Sequence, residues 1–286
     1  IVTMKGDTIT VSDFYNEIKT NQGAQQVLFQ MTINKVFEKE YGSKVSDKEV
    51  DKELAKQKKQ LGNQFDAYLA QQGLTEETAK KQIRSNMLLE YAVNQAAKKD
   101  IKESDYKAAF ESYTPEVTAQ IIKLDSEDKA KEVLEAAKAE GADFAQIAKD
   151  NSTDTATKDK GGEVKFDSGT SGIPSQVKEA AFKLDENGIS DVITVSAGQN
   201  YSASYYIVKL NKKTEKGSDW KKYEKRLKEI IVDGRKQDTN FIRSVIAKAM
   251  TNANIKVKDD AFKSTFNQYL QNIGVQTSDS SSSSKK

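Results

Sequence analysis

Any chemistry in this chain has to be done without imidazole or thiol, because its 286 residues include neither histidine nor cysteine. That excludes Cys/His zinc sites, c-type haem attachment and thiol redox chemistry, and with them Ser-His-Asp or Cys-His nucleophiles. A carboxylate-only metal site stays open on composition, but no Asp/Asn/Gly loop of EF-hand spacing occurs and no metal ligand is assigned. Without cysteine there is no disulfide framework, which fits a cytosolic protein or an exported bacterial protein that does without disulfides. The densest unusual spacing is a glycine-rich stretch carrying Gly161, Gly162, Gly169 and Gly172, whose first two glycines are read as serving backbone geometry. Asn151-Ser152-Thr153 fits a glycosylation acceptor and is read as incidental.

The elements that must hold any site follow from periodicity. Residues 1–11 read as a hairpin turning at Gly6-Asp7, and Ser12 reads as the N-cap of a first helix. A helix with Val27, Leu28, Met31, Val36 and Phe37 on its apolar side ends near Gly42. Ser46 and Glu49 have capping-box spacing and open a third helix. A short helix stops at Gly73, and a long one runs from Thr75 to about Lys99. Ser104 reads as the cap of one more helix, ending near Tyr113. At Thr114-Pro115 the pattern changes to a β-α-α-β run, with strands at 117–124 and 205–210 and the glycine-rich stretch as a loop. After Lys212 helices resume, broken at Gly234, and a short strand at 255–257 precedes a last helix.

The expected fold class is α+β. A helical domain is formed by residues 1–114 and 213–275, with an α+β domain over 115–212 inserted between them, and a disordered Ser-rich tail over 276–286. Charge follows this partition: 116–212 has a balance of −5, the rest +7, and the whole chain +2. The lysines of the helical part are interleaved with glutamates, so they read as solvated faces and no nucleic-acid partner is expected. No apolar run reaches transmembrane length. The chain begins at Ile1 without an initiator Met, so it is expected to start downstream of a removed segment.

The middle segment resembles the parvulin family of peptidyl-prolyl isomerases. The resemblance rests on pieces in order: Thr118–Ile122, the helix Lys129–Ala139, Asp143–Ala148, Ser152-Thr153-Asp154, Gly161-Gly162-Glu163, Glu179–Leu184, Gly188–Asp191 and Tyr206–Leu210. The flanks resemble the PrsA/PrtM group of Gram-positive foldase lipoproteins, streptococcal members most closely. Ser12–Tyr15, Val45–Asp51, Gly73–Glu77 and Gln82-Ile83-Arg84 carry that likeness. The group implies a foldase and chaperone for unfolded or newly secreted polypeptides. It also implies a possible homodimer and a place on the outer face of the membrane, held by an N-terminal lipid-modified Cys that this chain lacks. A prolyl isomerase needs no cofactor, because twisting the amide breaks no bond; the barrier of about 18–20 kcal/mol is lost conjugation.

Carried over by that resemblance, the acidic position of the parvulin ring falls on Asp154 and its two histidines on Gln120 and Tyr206. The pair can still hydrogen-bond across strands but does not reproduce two imidazoles. The apolar grip on proline falls on Val164, Ile173 and Val177, with Phe166 beside them. Val177 offers less area than the aromatic ring of the family pattern. The plainer reading makes Asp154 a turn residue, Gln120 and Tyr206 sheet residues, and Phe144, Phe166 and Phe182 core. Three functions follow: a foldase and chaperone whose isomerase module is weak or inactive, an active prolyl isomerase, and a non-enzymatic surface interaction protein such as an adhesin.

Overall fold

The computed structural model describes residues 1–196 and 203–270. By their internal contacts these form two compact units, one of residues 1–101 with the segment from 232 onward, the other of residues 102–231. Both ends of the chain therefore build one unit. Its joints lie outside the 115–212 segment.

The first unit opens on a two-stranded hairpin, β1 (Val2–Met4) and β2 (Asp7–Ile9), followed by α1 (Val11–Ile18). The cap of α1 is Thr10, not Ser12: its hydroxyl accepts the Asp13 amide and the Asp13 carboxylate accepts the Thr10 amide. Thr10 is the residue that pairs a hydroxyl with an acid three positions on, which is what a capping box needs. The helices α2 (Gln22–Tyr41), α3 (Asp47–Leu61), α4 (Phe65–Gln71) and α5 (Glu76–Ala97) follow. From the other end of the chain come α11 (Thr239–Asn252) and α12 (Lys263–Leu270).

Phe29, Ile33, Val36 and Phe37 recur at helical spacing on α2 and are buried with Leu54, Leu88 and, from the far end of the sequence, Met250 and Phe266. Phe29 and Phe266 meet edge to face with centroids 5.4 Å apart. Ser46 and Glu49 form the capping box their spacing predicts. Among the described residues no helix is long and apolar enough to cross a membrane.

Arg84 of α5 fixes the corner between α2 and α3. Its guanidinium donates to the backbone oxygens of Gly42 (3.0 Å) and Val45 (2.9 Å) and makes two bonds to Glu38. Arg84→Ala is expected to cost about 2 kcal/mol, because two carbonyls at a partly buried corner lose charged donors. The half-exposed Glu38 adds little to that figure. Urea unfolding at neutral pH reads it out.

The second unit holds a four-stranded antiparallel sheet in the order β4 (Glu163–Phe166), β3 (Val117–Leu124), β6 (Ala203–Lys213), β5 (Ile193–Ser196). The outer strand β4 lies in the glycine-rich stretch expected to be loop, and β5 in a stretch assigned no element. Each is four residues long, too short for its alternation to stand out from flanking turns. One sheet face packs on α7 (Glu127–Lys138) and α8 (Phe144–Asn151); the other packs on α9 (Ser175–Lys183) with Phe166 and Phe182.

This unit is wider than 115–212 because aromatic side chains bind its flanks to it. α6 (Glu103–Ser112) supplies Tyr106, stacked on Trp220 at 5.0 Å. Phe110 and Tyr113 both meet Tyr223, just ahead of α10 (Glu224–Gln237).

Three further expectations are corrected. The α6 N-terminus is at Lys102, whose amide donates to Asp105; Ser104 lies inside the helix. Gly234 lies within α10, and the break falls at Asp238, which caps α11. Residues 255–257 form no strand: they join no ladder, and Ile255 and Val257 pack on helical core instead. The tail expected at 276–286 lies outside the described residues.

Candidate functional site

The end of β3 and the start of the loop after α8 are zipped together. The buried Ser152 hydroxyl accepts the amides of Lys123 (3.1 Å) and Asp154 (3.3 Å), and the Thr153 amide donates to the Lys123 carbonyl at 2.8 Å. Asp154 is thereby held half-buried beside the end of β3, one of the two central strands. Lys123 pairs with Tyr206 in β6, and the charges of Asp154 and Asp125 act on that phenol. Burial, then those two charges, hold the Tyr206 hydroxyl above its ordinary pKa. It is therefore a protonated donor at neutral pH.

Asp154 itself is engaged as a turn anchor. Its Oδ2 accepts the Thr157 hydroxyl at 2.6 Å and its Oδ1 the Ala156 amide at 3.1 Å.

Gln120 stands elsewhere. Register pairs it with Lys209 and Glu163, while Tyr206 pairs with Lys123. Side chains alternate along a strand, so Gln120 and Tyr206 project from opposite faces of the sheet. The Gln120 amide donates to the Gly161 carbonyl at 3.0 Å. The cross-strand bond between the two, suggested by their matched positions, is absent for this reason of parity.

Val177 and Phe166 are sealed in the core, at 0% and 1% exposure. Phe166 lies 5.7 Å from Phe182. Val164 and Ile173 are half-buried on the same cluster, with Tyr206, Ile193 and Val195. The sheet face thus gathers Asp154, Tyr206, Val164 and Ile173, excludes Gln120, and keeps Val177 and Phe166 as supports. A phenol donor beside a carboxylate can polarise a carbonyl by hydrogen bonding; it offers no nucleophile with an adjacent base. Among the described residues no three acidic side chains gather as a metal site.

Sequence reasoning missed the most buried charge. Asp167 follows β4 at 6% exposure. Its carboxylate accepts Arg226 Nε and Nη2 (2.6 and 2.8 Å), the Tyr113 hydroxyl (3.1 Å) and the Thr170 hydroxyl (2.8 Å). Burial pushes its pKa up, but the Arg226 and Thr170 hydrogen bonds and the guanidinium charge outweigh this and hold it below the ordinary value. No spacing announces the cluster, since Tyr113 and Arg226 lie 54 and 59 residues from Asp167.

A four-stranded antiparallel sheet clasped by α7, α8 and α9, with an acid at the start of the loop after α8, defines a parvulin-type domain. In keeping with this, residues 117–212 match the family described as Rotamase: PPIC-type PPIASE domain. Relatives match far beyond that segment. Foldase protein PrsA of Streptococcus sanguinis is 61% identical over 274 residues, covering 96% of this chain and 82% of that one. The Streptococcus gordonii protein of the same name is 60% identical over 285 residues, covering 100% and 90%. The crystal structure of foldase protein PrsA from Streptococcus pneumoniae is similar with a TM-score of 0.83 at 54% identity, covering 94% of this chain and 99% of that one. The chain belongs to the PrsA foldase family.

Proposed function

We propose that the chain acts outside the cell as a foldase for newly secreted polypeptides, that it holds clients on the helical unit, and that its parvulin-type domain is a weak or inactive isomerase. One observation carries this reading: where apolar surface is open and where it is closed. Among the described residues the most exposed large apolar side chains, Ile1, Val11, Phe14, Val27 and Met31 among them, all belong to the helical unit. In the parvulin-type domain Val177 and Phe166 are buried, and Gln120 is turned to the other face. Exposed apolar surface of this kind is what an unfolded chain would meet.

Asp154 and Tyr206 are assigned the residual isomerase centre, with Val164 and Ile173 as its apolar wall and Phe166 and Val177 behind it; Gln120, on the other face, is left outside it. Attachment to the outer membrane face through a lipid-modified Cys upstream of Ile1, and pairing of two chains, belong to the same proposal.

A protease-coupled assay on a short X-Pro peptide should give a rate within a few-fold of the uncatalysed one, unchanged by Asp154→Asn. A large acceleration lost in that variant would favour the active-isomerase reading. Aggregation of an unfolded client should be suppressed equally by the full chain and by Asp154→Asn. A full chain with no holding effect would remove the chaperone reading.

A further inference from the structure

The stretch expected to be a strand at 255–257 has the side-chain pattern of one but no partner. Ile255 and Val257 are half-buried against the helical core, while Lys256 and Lys258 are exposed. This is period-two alternation. The Lys256, Val257 and Lys258 amides donate to nothing among the described residues, and the carbonyls of Ile255–Lys258 accept nothing. Asp259 continues the chain in extended geometry. Unpaired main-chain groups in such a stretch are a template for another strand.

Two adjoining hollows of about 470 and 420 Å3 run beside it, sharing Thr32 and Ile255. Leu28 and Val36 of α2 and Val257 of the open edge supply their apolar walls. Their rim is cationic. Lys35, Lys39, Lys256 and Lys258 are exposed and have no carboxylate partner among the described residues. The two rim acids are engaged: Asp259 by the Tyr15 hydroxyl and Lys19, Glu40 by the Tyr41 hydroxyl.

We infer that Ile255–Lys258 is a client-docking edge, which takes an extended polypeptide segment by β-strand addition. The favoured segment alternates apolar residues, directed into the α2 trough, with carboxylates that meet the free lysines. The inference rests on the foldase reading and names how and where the helical unit would hold its client. Main-chain pairing gives tolerance of many sequences; the trough and the lysines give the preference.

The probe is a labelled synthetic peptide in which valine alternates with glutamate, titrated into the full chain by fluorescence anisotropy. Two versions N-methylated at every second amide, one in each register, need no change to the protein. One register should bind about tenfold or more weaker and the other like the parent. Val257→Pro should lose the peptide and hold unfolded client less well. In case that variant folds poorly, Lys256→Glu/Lys258→Glu alters only exposed positions; it should weaken the glutamate peptide and strengthen one with lysine in place of glutamate.

No binding of the parent peptide, equal binding of both methylated registers, or unchanged client holding by Val257→Pro would each overturn the docking edge. So would self-association lost in Val257→Pro that the peptide does not compete away, which would assign the edge to a second copy. If the edge binds peptide but the wild-type chain holds no client, the foldase reading falls and the edge stands.

Discussion

Replacing Arg226 by methionine is expected to cost about 3 kcal/mol at neutral pH, because it leaves a carboxylate buried without its counter-charge. The figure is taken at the lower end of the usual range because the Arg226 side chain is 32% exposed, whereas that of Asp167 is only 7% exposed. The tyrosine and threonine hydroxyls that remain on Asp167 do not neutralise it. The loss has a defined pH course. In the wild type Asp167 titrates below its ordinary value. Its contribution is thus fully present above the unfolded pKa of about 3.9 and fades as pH falls through the folded one. Without the arginine, burial, the largest influence on this carboxyl, is opposed only by the Thr170 and Tyr113 hydrogen bonds, and the folded pKa moves up. Acid then relieves the variant while it weakens the wild type, so the difference between them should shrink as pH falls toward 4. Arg226→Met/Asp167→Asn should recover much of the loss at neutral pH. Urea unfolding followed by Trp220 fluorescence suits the measurement, because that ring stacks in the same unit. A difference that does not change with pH would remove Asp167 ionisation as its cause.

Gly162→Ala is expected to damage the parvulin-type domain more locally but as severely. Gly162 sits at φ +78°, and a Cβ there would lie 2.5 Å from the Ile121 carbonyl oxygen and 3.0 Å from its nitrogen. The positive φ alone costs about 1–2 kcal/mol for a residue with a side chain. The clash is with backbone of the central strand, which cannot swing aside as a side chain would. The Ile121 amide donates to the Gly162 carbonyl at 2.8 Å, and the Gly162 amide to Thr157 at 2.9 Å. Moving the glycine therefore breaks the seam that joins β4 and the Asp154 loop to β3. A total near 3 kcal/mol follows, counting one lost hydrogen bond of about 1 kcal/mol. The expected sign is lost hydrogen-exchange protection across 117–124 and 163–166, with the amides of α2 and α5 unaffected. Uniform loss across both units would contradict the local origin.

Much of the fold was legible from local patterns. The stripe of Phe29, Ile33, Val36 and Phe37, the Ser46–Glu49 box and the Thr75 cap are statements about neighbouring residues on one helix, and local spacing suffices to read them. The alternation of β3 declared a strand for the same reason. Thr10 displaced Ser12 as a cap because a cap depends on which acid reaches back three positions. Residues 255–257 show the limit in another form: alternation marks a strand-like stretch, but a ladder needs a partner, and sequence does not supply one.

The candidate site divides along the same line. The absence of histidine and cysteine was fixed by composition, and the resemblance to parvulins put the matched positions on Asp154, Gln120 and Tyr206. That Asp154 comes near Tyr206 while Gln120 faces the other side was decided by register, where one residue of offset reverses every side chain. That Val177 and Phe166 are closed to solvent was decided by packing of α9 on the sheet. That Asp167 is buried against Arg226 was decided by two segments far apart in sequence. Composition and spacing set which groups the chain owns and which helices it forms. Only the tertiary structure decides which groups share a face, because strand parity and burial are properties of paired segments and are not encoded in either segment alone.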